Sequence, residues 1–166
     1  MARDTTKILT LPVSVIGQND VGRLVREVKQ LGEFLTQAAI REPGTPTKLP
    51  RSSRLMDELV QTNTLNPLIQ NDRQWLMDFL LAVYQRAPVL HMSFNADPSP
   101  LFLQRLTTWL RREVHPLVLL SIGLQPNLGA GCTVRTKNKF FDFSLREYFK
   151  QKRAILVQEF LESDTP

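Results

Sequence analysis

"LQPNLGAGCTVRTKNKFFDFSLREYF", residues 124–149, sets Gly129, Ala130 and Gly131 ahead of an apolar-basic segment, turns within a few residues, and finishes on Asp-x-Ser before an amphipathic run. Glycine tolerates positive φ, so "GAG" lets the backbone turn where side chains would collide. "CTVRT" and "FFDF" flank "KNK" as in a hairpin with a basic tip. Ser144 with Glu147 three residues later forms a Ser-x-x-Glu capping box for a last helix carrying Leu145, Phe149, Ile155, Leu156 and Phe160. A catalytic loop, a nucleic-acid hairpin and a structural docking element are each compatible with this stretch.

Working upstream, "VLHMSFNA" (89–96) and "LVLLSIGL" (117–124) read as apolar strands. Between them, "SPLFLQRLTTWLRREV" reads as a helix with Leu103, Leu106, Trp109, Leu110 and Val114 available for burial, and Asp97 and Pro98 stand where an N-cap and a first-turn proline belong. "NDRQWLMDFLLAVYQRA" makes a helix facing Trp75, Leu76, Phe79, Leu80 and Val83 inward, with Asn71 and Gln74 as its capping box, and "SSRLMDELVQTN" makes a shorter one. Residues 43–52, with three prolines and a glycine, must be a loop. Before it, Val21, Leu24, Val25, Val28, Leu31, Leu35 and Ala38 form one stripe of a helix capped by Asn19 or Asp20. "KILTLPVSVI" (7–16) is β-branched with Pro12 inside it, the signature of a strand near a sheet edge. A strand needs a sheet to pair its backbone groups, so this one is expected to join the C-terminal sheet.

The resulting expectation is an α/β (α+β) fold: a mixed sheet of about four to five strands packed with amphipathic helices, the N-terminal strand included. At 166 residues, with 42% apolar and 22% charged, the chain suits one soluble domain with or without an appendage. No window approaches the roughly 20 apolar residues of a membrane span, and "MARDTTK" lacks a secretory signal's apolar core, so a cytoplasmic location is expected. The single cysteine, Cys132, allows no internal disulfide. The net charge of +5 is shared between residues 1–87, at +2, and 88–166, at +3; its densest clusters are "RTKNK" and "KQKR", with Arg111 and Arg112 elsewhere. Solvated surface and a phosphate track both account for such clusters.

From about Ser52 to Arg153 the order helix, strand, helix, strand, hairpin, helix resembles the C-terminal part of the δ subunit of F-type ATP synthases, the relative of the oligomycin-sensitivity-conferral protein. The resemblance is carried by "VLLSIGLQPNLGAGCTVRTKNKFFDFSLREYF" (118–149), where Val118, Leu120, Gln125, Leu128, Ala130, Gly131, Val134, Arg135, Asp142 and Ser144 match the family pattern. Ala130 stands where one of two glycines is usual, and the family's N-terminal helical bundle has only 51 residues before Ser52 in its place. The implied domains are a strand-helix segment at 1–41, a linker at 42–51 and a δ-like domain at 52–162.

The resemblance implies a non-catalytic stator, at the cytoplasmic face of the cell membrane, that links the catalytic head to the peripheral stalk through the α and b subunits during proton- or sodium-coupled ATP synthesis. The last helix and Leu101 to Val114 are the expected contacts with b. No catalytic residue, metal or cofactor is expected. Cys132 with His91 or His115 could form a nucleophile and base only if the fold joined them. A small basic nucleic-acid-binding protein is the alternative, with Phe140 and Phe141 beside the basic tip as stacking surfaces.

Overall fold

Among the described residues, five α-helices and a mixed four-stranded sheet give this chain an α+β fold. The structure, a computed structural model, describes residues 9–40 and 49–163, with backbone alone for 151, 154, 156 and 158–163. In chain order the elements are α1 (Gln18–Ile40), α2 (Arg54–Asn63), α3 (Gln70–Arg86), β1 (Val89–Phe94), α4 (Pro100–Glu113), β2 (Leu119–Leu124), β3 (Gly131–Arg135), β4 (Phe140–Ser144) and α5 (Leu145–Ser163). They divide into two compact units, residues up to Pro88 with Gln104–Leu119, and Val89–Leu103 with Leu120 onward. This division does not follow the expected boundary at 42–51, because α1 packs on α3 and α2.

The first unit is helical. Val21, Leu24 and Val28 recur at the spacing of one helix face and are buried with Leu59 of α2 and Leu76, Leu80 and Val83 of α3. Trp75, expected inside, is exposed, and Phe79 is half-buried. Glu27 of α1 accepts both the amide and the hydroxyl hydrogen of Ser53 at 2.6 Å, while the Ser53 hydroxyl oxygen accepts from the Met56 amide. The N-cap of α2 is therefore held by a side chain from another helix.

The expected N-terminal strand is corrected here. Residues 9–16 form no strand, and the sheet order β2-β1-β3-β4 has no place for them; Lys7 and Ile8 lie outside the described residues. Side chains do what a neighbouring strand would have done. Asn63 accepts the Thr10 amide hydrogen at 2.8 Å and donates to its carbonyl at 3.0 Å, pairing both backbone groups of that residue. Arg111 donates to the carbonyls of Leu11, Pro12, Val15 and Val118. Pro12 has no donor to offer a ladder, and the chain turns there with the Val15 amide on the Pro12 carbonyl.

Helix starts are also corrected by a residue or two. Asp20 lies inside α1 and reaches back to the Ile16 and Gly17 amides. The N-cap of α3 is Ile69, ahead of Asn71 and without a side-chain bond. The hydroxyl of Ser99, not Asp97, accepts from the first turn of α4, at the Phe102 amide, with Pro100 as its first residue. A short polar residue caps only where the preceding chain leaves it extended, a constraint absent from the residue alphabet.

The second unit is built on the sheet. The Leu119 amide donates to Pro88 and the Gln125 amide to Phe94, so β1 and β2 advance in step as a parallel pair, with α4 as the connection. β3 runs antiparallel to β1, with Met92 opposite Val134 and Phe94 opposite Cys132. β4 runs antiparallel to β3 at the open edge, with Val134 opposite Phe141 and Cys132 opposite Phe143.

Candidate functional site

The residues between β2 and α5 form one joint. Pro126–Leu128 make a single 3-10 turn that buries Leu128. Gly129 follows with φ 73° and ψ −73°, closed by the Ala130 amide on the Leu128 carbonyl at 3.0 Å, a three-residue turn rarely open to other residues. Asn95 donates to the Gly129 carbonyl at 2.7 Å and ties the turn to the end of β1. Gly131 then enters β3 with φ 98°, where a Cβ would collide with the Phe143 carbonyl oxygen and meet the Ser144 Cα at 2.9 Å. The small residues thus serve two needs: tight turning at Gly129, and contact between backbones at Gly131.

The far side of the joint is Asp142 and Ser144. The Leu145 amide donates to Ala130 and the Thr136 amide to Lys139, so odd-numbered residues of β4 bond to β3 while Phe140, Asp142 and Ser144 turn their backbone groups to the open edge. Asp142 accepts the Ser144 amide hydrogen at 2.8 Å, taking the place of a missing strand. The Ser144 hydroxyl oxygen accepts the Glu147 amide hydrogen at 3.3 Å and so caps α5. The Ser144 hydroxyl, then its amide, with Lys150 and Arg146 adding to them, hold the Asp142 carboxyl below the usual carboxylate range.

Five of the ten expected motif residues, Leu128, Ala130, Gly131, Asp142 and Ser144, meet in this joint, while Val118 and Leu120 are buried. Val134 lies half-buried on a sheet face, and Arg135 is exposed. Gln125 contributes its amide to Phe94 while the residue as a whole is exposed. Because the folded pKa of Asp142 is depressed, its contribution to stability is fully present above the unfolded value of about 3.9 and is lost as pH falls through the folded value. Asp142→Asn is expected to flatten this acid limb: melting followed by circular dichroism between about pH 5 and pH 2 should fall less steeply than in the parent. Superimposable acid limbs would mean that the carboxylate does not hold the joint.

The structure does not join His91 and Cys132, two of the residues weighed for catalysis. His91, opposite Arg135, and Cys132, opposite Phe94, point to opposite faces of the sheet, since side chains alternate along a strand. His115 accepts the Leu117 amide on its own Nδ1. Burial, with the Asp142 carboxylate next, pushes the Cys132 thiol up, away from nucleophilic character at neutral pH.

What sequence reasoning missed is how much apolar side chain this region leaves in the open. Phe140, Phe141 and Phe143 on β4, and Leu145, Tyr148, Phe149, Ile155 and Val157 on α5, are all exposed. The sequence carried no clear signal for this, because phenylalanines on both sides of the pleat, as in "FFDFS", are equally the pattern of a strand buried on both faces. No protein-family model and no curated protein sequence matches the chain.

Proposed function

We propose that the chain is a δ-type peripheral-stalk subunit of an F-type ATP synthase, joining the stalk b subunits to the α subunits of the catalytic head at the cytoplasmic face of the membrane. The observation that carries this reading is the run of exposed aromatic and aliphatic side chains from Phe140 to Val157, mounted on a joint in which every turn is fixed by glycine geometry, an edge carboxylate and a helix cap. Apolar surface of this extent suits a protein interface. The resemblance in residues 118–149 supports the particular assembly, because its small residues and Asp-x-Ser are those that make the joint.

A stator performs no bond chemistry. Its work is to resist the torque of the central shaft, so it needs interfaces that do not yield and elements that do not bend at their junctions. The Ser144 cap makes β4 continuous with α5, and load on the helix passes into the sheet through backbone hydrogen bonds. The demands on this part are the same whether protons or sodium ions drive the rotor.

A nucleic-acid role is the second reading, favoured by exposed Lys137 and Lys139 beside Phe140 and Phe141. Phe141 and Phe143 lie nearly parallel with centroids 6.1 Å apart, so they already lean on each other. Affinity purification of the tagged chain from detergent-solubilised membranes separates the two. The α and b subunits should be recovered in fixed ratio with the chain, and nuclease treatment should not change the yield. Recovery of nucleic acid without ATP synthase subunits would overturn the proposal.

A further inference from the structure

The segment before α1 is held in the helical unit as a bound peptide would be. Asn63 of α2 pairs with both backbone groups of Thr10, and Arg111 of α4 donates to the carbonyls of Leu11, Pro12 and Val15. Each of these bonds joins a side chain of a helix to main chain of the segment, so each is indifferent to the residue presented. Selection falls to the side chains of the segment. Leu9, Leu11, Pro12 and Val15 are buried, whereas Thr10 and Val13 are exposed. Main-chain bonds for affinity and buried side chains for specificity are the division by which extended peptides are recognised.

The seat is open at the surface and imperfect beneath. Leu11 to Ser14 line an open cleft together with Glu58 and Thr62 of α2 and Gln104 of α4. Gln104, Thr107 and Arg111 fall on one face of α4 at three- and four-residue spacing, and the first and last of them meet the segment. Thr107, between them, is fully buried, and its hydroxyl has no hydrogen-bond partner among the described residues. The present occupant therefore leaves one polar group of the seat unpaired, and a peptide that offers an acceptor there would be held more tightly. A second copy brings only the same segment, which each chain already supplies to itself at a far higher effective concentration. Displacement calls for a different sequence.

We infer that the seat between α2 and α4 is a binding site for an extended peptide of a partner protein. The peptide carries apolar residues at its first, third and seventh positions and proline at its fourth, the pattern of Leu9, Leu11, Val15 and Pro12. Residues 9–16 occupy the site as an autoinhibitory strap, and the partner enters as the strap leaves. The inference is independent of the exposed surface on β4 and α5 and of the assembly proposed for it.

A fluorescent peptide with the sequence of residues 9–16, LTLPVSVI, would be titrated with the full chain and followed by anisotropy. The parent should bind it weakly, because only the fraction of molecules with the strap released is competent. Leu11→Ser with Val15→Ser weakens the strap and leaves Asn63 and Arg111 in place, so this double variant should bind at least about tenfold more tightly. In the variant, methylating the peptide nitrogen equivalent to Thr10 removes the donor to Asn63 and should weaken binding about tenfold. Methylating the nitrogen equivalent to exposed Val13 should have little effect. Amides of α3 should stay protected from exchange throughout. Equal affinity in parent and variant, equal affinity for a scrambled peptide, or indifference to the methyl group at Thr10 would each overturn the inference. Loss of α3 protection in the variant would also overturn it, by showing the segment to be part of the core. Dimerisation of the parent that the variant lacks would put a second copy in place of the partner peptide and overturn the inference in that form.

Discussion

Gly131→Ala is expected to destabilise the sheet unit by about 3 kcal/mol, nearly as much as Gly131→Val, while Gly129→Ala two residues earlier costs about 1 kcal/mol. Both glycines hold positive φ, at 98° and 73°, so conformational strain alone would make the two alanine variants alike. Their surroundings differ. A Cβ on Gly129 has nothing within 4 Å, whereas one on Gly131 runs into backbone atoms of Phe143 and Ser144, which cannot swing aside as a side chain can. The two strands would have to part where the Ala130 carbonyl receives the Leu145 amide, and the start of α5 would move with them. Urea unfolding of the three variants, with hydrogen exchange at the Leu145 amide, tests the ordering. Equal losses at the two glycines would mean that the close approach of β3 and β4 is not what requires glycine.

The second large effect is expected at Arg111. Its guanidinium donates to carbonyls of Leu11, Pro12, Val15 and Val118, and burial pushes its pKa down to about 10, which leaves it charged at neutral pH. Arg111→Met keeps much of the apolar stem and removes every donor, so the carbonyls gathered around it must find water or separate. A loss of roughly 3 kcal/mol is expected, the scale for stripping the partner from buried hydrogen-bonded groups that are partly reachable by solvent. Arg111→Lys should recover only part of it, because an ammonium cannot span the fork of acceptors. The Val15 amide, which donates to Pro12 in the segment held by Arg111, should exchange faster in Arg111→Met than amides of α3. Unchanged stability together with unchanged exchange at Val15 would show that the segment is held by its buried Leu9, Leu11 and Val15 side chains alone.

These two sites mark the boundary of what the sequence could reveal. The joint around Gly131 was legible because its constraints are local: glycines at a turn, and Ser144 three residues before Glu147, have few geometries in which to be satisfied. The segment before α1 reads as a strand because β-branched residues and Pro12 do describe an extended backbone. They carry no information about what pairs with it, and the partners are side chains of Asn63 and Arg111, far away in sequence. Helical periodicity likewise located the stripes of α3, α4 and α5 but not whether anything covers them. Leu76 and Leu80 are buried, whereas Trp75, Trp109 and Phe149, on equally apolar positions, are exposed.

The grip of Glu27 on Ser53 has a consequence for how the helical unit assembles. A helix of ten residues such as α2 does not hold its shape in water alone, because the first turn is costly to nucleate. Its first turn is fixed through Ser53 to α1, so α2 forms on a template that must already be present. Loss of the Glu27 carboxylate should therefore slow the appearance of α2, whose first turn would have to form with only the burial of Met56 and Leu59 to hold it.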